Sequence, residues 1–170
     1  MKRVFMAAIV GVFAFSTAGF AQDLSIRNFL RVNTEFCTAG QPTMEELSDL
    51  KEDGIRAVLN LRVPTEHDAA GEAAAVRELG MNYFNIPVDG ANIGNGQVEE
   101  FLALTDDENN QPMFIHCGSA NRVGAFWMIR RAIRDGWSVS DAEAEADEIG
   151  LTSAALKEFA LQYIETHRAP

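Results

Sequence analysis

The chain has 170 residues, 47% of them hydrophobic, and a formal net charge of −11. That length suits one domain with a sizeable core, and so acidic a surface argues against nucleic acid or anionic membrane as a partner. It also repels anionic substrates at long range, so any anion site must be local, built from backbone dipoles and one or two cations.

In chain order, residues 1–21 come first. Lys2 and Arg3 precede an apolar run that ends in the small-residue stretch Gly19-Phe20-Ala21. This is the layout of a secretory signal peptide cleaved after Ala21, with an uncleaved membrane anchor as the other reading, and cleavage predicts a periplasmic or secreted protein with no stable membrane insertion afterwards. The expected mature chain, 22–170, is then a single domain. Removing two cations and no acid takes its charge from −11 to about −13.

Next, "PTMEELSDLKEDGIRAVLNLR" reads as helix, Gly54, strand, and "DAAGEAAAVRELGMNYFNIPV" as helix, Gly80, strand. Thr43 and Glu46 have capping-box spacing, and the two glycines suit the left-handed position after a helix end. Residues 55–61 and 83–88 are short, apolar and rich in β-branched or aromatic side chains, as is "PMFIHC" further on. "RVGAFWMIRRAIRDG" is a helix ending at Gly136, with Trp127 and Met128 as core. Ser140 and Glu143 are expected to cap a further helix, whose "DAEAEADE" run is a solvated face. Residues 153–167 form the last helix. Strands alternating with helices define an α/β domain with a mainly parallel central sheet flanked by helices, and the short apolar strands fit burial on both faces.

The chemistry concentrates in "HCGSANR", residues 116–122. A strand ends at His116, Cys117 follows at the carboxyl edge of the sheet, where α/β folds bind ligands, and a helix begins near Asn121 or Arg122. Gly118, Ser119, Ala120 and Asn121 are small or turn-tolerant, so their N–H groups can curl into an anion-binding nest at the helix N-terminus. That environment favours a thiolate at Cys117. Arg122 can hold two oxygens of a bound oxyanion. A nucleophile and an oxyanion clamp in one loop suit attack on phosphorus or sulfur.

The motif "HCGSANR" resembles the signature loop of cysteine-dependent phosphatases of the dual-specificity and tyrosine type. "AGQPTMEELSDLKEDGIRAVLNLR", "NIPVD" and "DGWSVSDAEAEADEIGL" look like the phosphatase-like domain of beta-lactamase-hydrolase-like proteins. The resemblance implies a dual-specificity-phosphatase-like fold and a phosphoric monoester hydrolase acting through a cysteinyl thiophosphate. Carried over, the nucleophile is Cys117, the phosphate-binding cation Arg122 and the general acid Asp89. Asp89 lies in "VDGANIGNG", where it is equally a natural turn former before Gly90. His116, Gly118, Ser119, Ala120, Asn121 and Val123 complete the substrate-binding set.

Two departures leave the transferred group open. The phosphatase loop has five residues between Cys and Arg, and this one has four. The residue after Arg is Ser or Thr in the phosphatases, and here it is Val123. The shorter loop has one amide fewer for a tetrahedral phosphate, and the second change removes a hydroxyl that helps the thiolate leave. A four-residue gap is the loop length of rhodanese-type sulfurtransferases, in which the cysteine carries a persulfide. A non-catalytic module that binds an anion or a partner protein is the third reading. The expected partner is therefore a phosphorylated or sulfur-bearing small molecule or protein substrate.

Elsewhere the residues say less. Cys37 reads as a packed small residue or as a resolving partner of Cys117. Arg62 and Glu66 read as a structural ion pair at the same sheet edge. His116 either tunes the thiolate or is a strand-end histidine satisfied by backbone. His67, His116 and His167 lack metal-ligand spacing, no metal or organic cofactor is implied, and nothing sets the oligomeric state.

Overall fold

Residues 24–90 and 92–168 are described by a computed structural model of the chain. The segment read as a signal peptide, residues 1–21, lies outside them. Two strands the sequence did not announce open the fold: β1 (Leu30–Arg31) and β2 (Phe36–Ala39). Helix α1 (Met44–Glu52), β3 (Ala57–Asn60), a 3₁₀ turn (Pro64–Glu66), α2 (Ala69–Glu78) and β4 (Asn82–Asn85) follow. Then come α3 (Asn95–Asp106), β5 (Met113–His116), α4 (Asn121–Ile133), α5 (Val139–Ile149) and α6 (Ala154–His167).

The sheet order is β1-β2-β5-β3-β4; β2, β5, β3 and β4 run parallel and only β1 is antiparallel. The expected α/β architecture with a mainly parallel sheet is what the chain forms. Both helix–Gly–strand units are present. The Thr43–Glu46 capping box closes in both directions, and Gly54 and Gly80 take φ of 89° and 74°, a conformation that costs glycine nothing.

Strand pleating distributes the core. Ala57, Leu59, Met113 and Ile115 face the cluster under α3–α6, while Val58 and Phe114 face the cluster under α1 and α2 with Leu47, Leu50 and Val76. Every strand of the central pair is therefore buried on both faces, which is why these strands read as continuous apolar runs rather than alternating ones. The central helix α4 buries residues 123–129 entirely, and Trp127 is core as expected, its indole N–H donating to Glu145 at 2.7 Å.

Two expectations need correction. The cap of α5 is Ser138, not Ser140: Ser138 Oγ accepts from the Asp141 amide at 3.1 Å and donates to the Asp141 carboxylate at 2.6 Å. The helix starts two residues earlier because Ala142, Ala146 and Ile149 must all face α4. The acidic run is not wholly solvated either, since Glu145 turns inward to Arg131 at 2.6 and 2.8 Å. Among the described residues no helix is long and apolar enough to cross a membrane.

Candidate active site

β5 sits between β2 and β3, so the loop after it emerges at the middle of the sheet's carboxyl edge. Cys117 is only 1% exposed and joins the α3–α6 side of the core, while His116, one residue earlier, faces α2. The period of two decides this: adjacent strand residues point to opposite faces.

Three of the loop's carbonyls have partners, two in other segments and one in α4. Gly118 O accepts from the Gln41 amide at 3.4 Å, Ser119 O from Asn28 Nδ2 at 3.1 Å, and Ala120 O from the Gly124 amide at 2.9 Å. The Gln41 bond belongs to an antiparallel bridge between Gly40 and Ser119, which ties the loop to the segment after β2. Ala120 has φ 66° at the N-cap of α4, the left-handed half of a nest. A non-glycine residue held there costs about 1 kcal/mol or more and persists because the surrounding bonds over-determine it.

Arg122 lies in the first turn of α4, on the same side of the loop as Cys117. Its Nη1 and Nη2 donate to the two carboxylate oxygens of Glu66, at 2.7 Å each, and Nη1 also reaches Val88 O at 2.9 Å. The Glu66 hydrogen bonds are the main reason its pKa rises, and the Cys117 sulfur adds to the effect. Conversely, the Arg122 hydrogen bonds hold the Glu66 carboxyl down from 4.5 to about 2. Glu66 also touches Arg62, Nε to Oε2 at 3.5 Å, so the expected Arg62–Glu66 pair exists, with Arg122 as the carboxylate's closer partner.

Asp89 is exposed, immediately after the Val88 carbonyl that Arg122 holds. Its carbonyl accepts from the Asn92 amide at 2.9 Å and its carboxylate from Asn92 Nδ2 at 2.9 Å. The turn-former role is thus real, at the residue that follows the carbonyl held by Arg122.

Three members of the proposed binding set are placed differently from what the sequence led us to expect. The His116 ring is fully buried, stacked on Phe114 with centroids 5.4 Å apart, and 3.3 Å from Glu72 on α2. Burial depresses its pKa to about 4, so it is a neutral support behind the loop. Asn121 sends its side chain to the start of α6, where Oδ1 accepts from the Thr152 and Ser153 amides at 2.9 Å and Nδ2 donates to Thr152 at 2.8 Å. Val123 is core. Gly118, Ser119 and Ala120 remain as loop backbone. Cys37 and Cys117 are both free thiols. Cys37 faces the α1–α2 cluster, and burial pushes its thiol up to about 12.

Sequence reasoning missed what lies beneath. Glu72, buried on α2, receives Gln41 Nε2 at 2.7 Å, Asn60 Nδ2 at 2.5 Å and the Tyr83 hydroxyl at 3.0 Å, and lies 3.4 Å from His67 Nε2. Gln41 in turn accepts from Arg62 Nη1 at 2.8 Å. A glutamate in an alanine-rich helix, "AAGEAAA", is the only sequence signal for this network.

A thiol at a strand end, a short loop leading into a helix and an arginine clamped by Glu66 make up the candidate site. By comparison with known proteins, residues 21–161 match the family described as "DSP-PTPase phosphatase fused to NAD+ Kinase", and the chain belongs to that family. It is 26% identical over 118 residues to the beta-lactamase hydrolase-like protein of Agrobacterium fabrum, covering 67% of this chain and 27% of the relative. The chain therefore spans about a quarter of the length of that curated relative. Among solved structures it is similar to the core catalytic domain of the PP-IP phosphatase SIW14 from S. cerevisiae in complex with citrate (TM-score 0.71, 23% identity, 83% of this chain and 90% of that one). It is also similar to P. aeruginosa TpbA in complex with pTyr (TM-score 0.67, 20% identity, 85% and 86%). Both likenesses are of fold.

Proposed function

We propose that the protein hydrolyses phosphoric monoesters through a Cys117 thiophosphate. The observation that carries this is the approach of the Arg122 guanidinium to Cys117 across the short loop between them, in a chain of a phosphatase family. The Cys117 thiolate attacks phosphorus as the ester oxygen departs, and Asp89 gives that oxygen its proton. Arg122 and the loop amides hold the equatorial oxygens, whose charge grows in the transition state. Water then attacks the thiophosphate with Asp89 as base, releasing phosphate and the thiolate. Glu66 fixes the guanidinium so that its remaining donors stay aimed at the loop.

The four-residue gap favours a second reading, sulfur transfer through a Cys117 persulfide, which needs no Asp89. One set of measurements separates them: aryl phosphate hydrolysis and thiosulfate-to-cyanide transfer by wild type, Cys117→Ser, Arg122→Ala and Asp89→Asn. Phosphatase activity abolished by the first two variants and strongly reduced by the third is the expected result. Sulfur transfer indifferent to Asp89→Asn, with a mass gain of one sulfur atom after thiosulfate treatment, replaces it with the second reading. Full activity in Cys117→Ser overturns both. The reading also places the enzyme in the periplasm or outside the cell, on the strength of residues 1–21 of the sequence. A mature N-terminus elsewhere than after Ala21 in the exported protein contradicts that cleavage.

A further inference from the structure

We propose that Arg62 is a second anion-binding cation of this site, so that the preferred substrate carries another anionic group close to the scissile phosphate. This rests on the oxyanion cradle proposed above and names the class of substrate it takes. The central observation is at Gly118. A Cβ placed there would lie 3.7 Å from Arg122 Nη2 and 4.0 Å from Arg62 Nε. Two guanidinium groups thus face the same open side of one loop residue, where a side chain would stand between them and the backbone.

Their neutralisation is unequal. Glu66 gives both carboxylate oxygens to Arg122 at 2.7 Å and meets Arg62 only at 3.5 Å. The close partners of Arg62 are neutral: Gln41 Oε1 at 2.8 Å and the Glu66 main-chain carbonyl. Of the five N–H groups of Arg62, three go to Glu66 and Gln41, which leaves two to face an anion at the loop, within a protein whose overall charge is −11. A second phosphoryl or carboxylate group beside a phosphate held by Arg122 can accept from these donors.

Arg62 is also preorganised. Its amide donates to Asn60 Oδ1 at 2.8 Å, its carbonyl accepts from Asn85 at 3.0 Å, and its guanidinium is tied through Gln41 to the buried Glu72. Its side chain is 14% exposed, enough for a ligand to reach while little entropy remains to lose on binding.

The test is calorimetric binding of inorganic phosphate and of pyrophosphate to the full chain carrying Cys117→Ser, which removes turnover. Pyrophosphate is expected to bind about ten-fold tighter or more, the effect of one additional charge-assisted hydrogen-bonded pair. Adding Arg62→Gln should erase most of that preference. Adding Arg56→Gln, which removes a cation from the exposed opposite end of β3, should preserve it. Arg62→Lys keeps the charge without the Gln41 fork and should retain an intermediate preference, and it decides the matter if Arg62→Gln does not fold. Equal binding of the two anions, binding of neither, or equal losses from the Arg62 and Arg56 variants overturns the proposal. Phosphate binding without a pyrophosphate preference leaves the phosphatase reading standing. Arg62-dependent pyrophosphate binding in a chain that hydrolyses no phosphoester does the reverse.

Discussion

Glu66 carries more of the site than its position in an exposed 3₁₀ turn announces. It orients Arg122 with two hydrogen bonds, so Glu66→Gln is expected to lower kcat/KM by roughly ten- to a hundred-fold through misplacement of the guanidinium. Its cost in stability is small, at most about 1 kcal/mol, because the Glu66 side chain is a third exposed and screened. The pH sign follows from a carboxyl lowered from 4.5 to about 2. The stabilisation is fully present above 4.5 and disappears as pH falls towards 2, so wild type and Glu66→Gln should converge in chemical denaturation at the acid end. His116 behaves oppositely in origin. Its pKa is lowered by burial from 6.5 to about 4, so the unfolded chain takes up a proton that the folded chain refuses. This contribution favours folding above 6.5 and is lost as pH falls to 4. His116→Gln should flatten that part of the stability profile, measured by denaturation midpoints across the same range.

At the level of elements, the site depends on how closely α4 can approach α5. A Cβ at Gly124 would lie 2.9 Å from both the Ala146 carbonyl and Leu151 Cβ. Gly124→Ala must therefore push the helices apart, at a cost of about 1–3 kcal/mol, read as a lower Tm. Because Gly124 also donates its amide to Ala120 O at 2.9 Å, the displacement reaches the loop, and activity should fall along with stability. Much of this level was legible beforehand. The two helix–Gly–strand units, the third strand and the long helix after it announce themselves through periodicity and left-handed glycines. β1, β2 and α3 did not. β1 has two residues and β2 four, too short for a periodic signal. The start of α3, "NGQV", looks like loop and is a helix because Val98, Phe101 and Leu102 find α4.

Across the whole molecule, the charge of −11 and a local cationic loop oppose each other. The long-range field repels an aryl phosphate, whereas the contacts with Arg122 act only at short distance. Raising ionic strength from about 0.01 M to about 0.1 M shortens the Debye length from about 30 Å to about 10 Å. It is therefore expected to increase kcat/KM by relieving the repulsion, as stopped-flow or initial-rate measurements in a non-competing chloride salt can check. A decrease would mean that the loop's own potential dominates the approach.

Strand, thiol, small loop, arginine and helix follow one another within a dozen residues, so local chain geometry alone places Cys117 and Arg122 together at a sheet edge. The sequence by itself therefore determined the fold class and the nearness of Cys117 to Arg122. It could not determine which carboxylate holds Arg122, because Glu66 is 56 positions away and meets it only when β3 and β5 pair side by side. Nor could it show that His116 meets Glu72 on α2, or that the Asn121 side chain bonds to the start of α6. Those assignments depend on where each side chain finds a partner that satisfies its charge or hydrogen bonds, and such partners come from distant segments that only tertiary packing brings into reach.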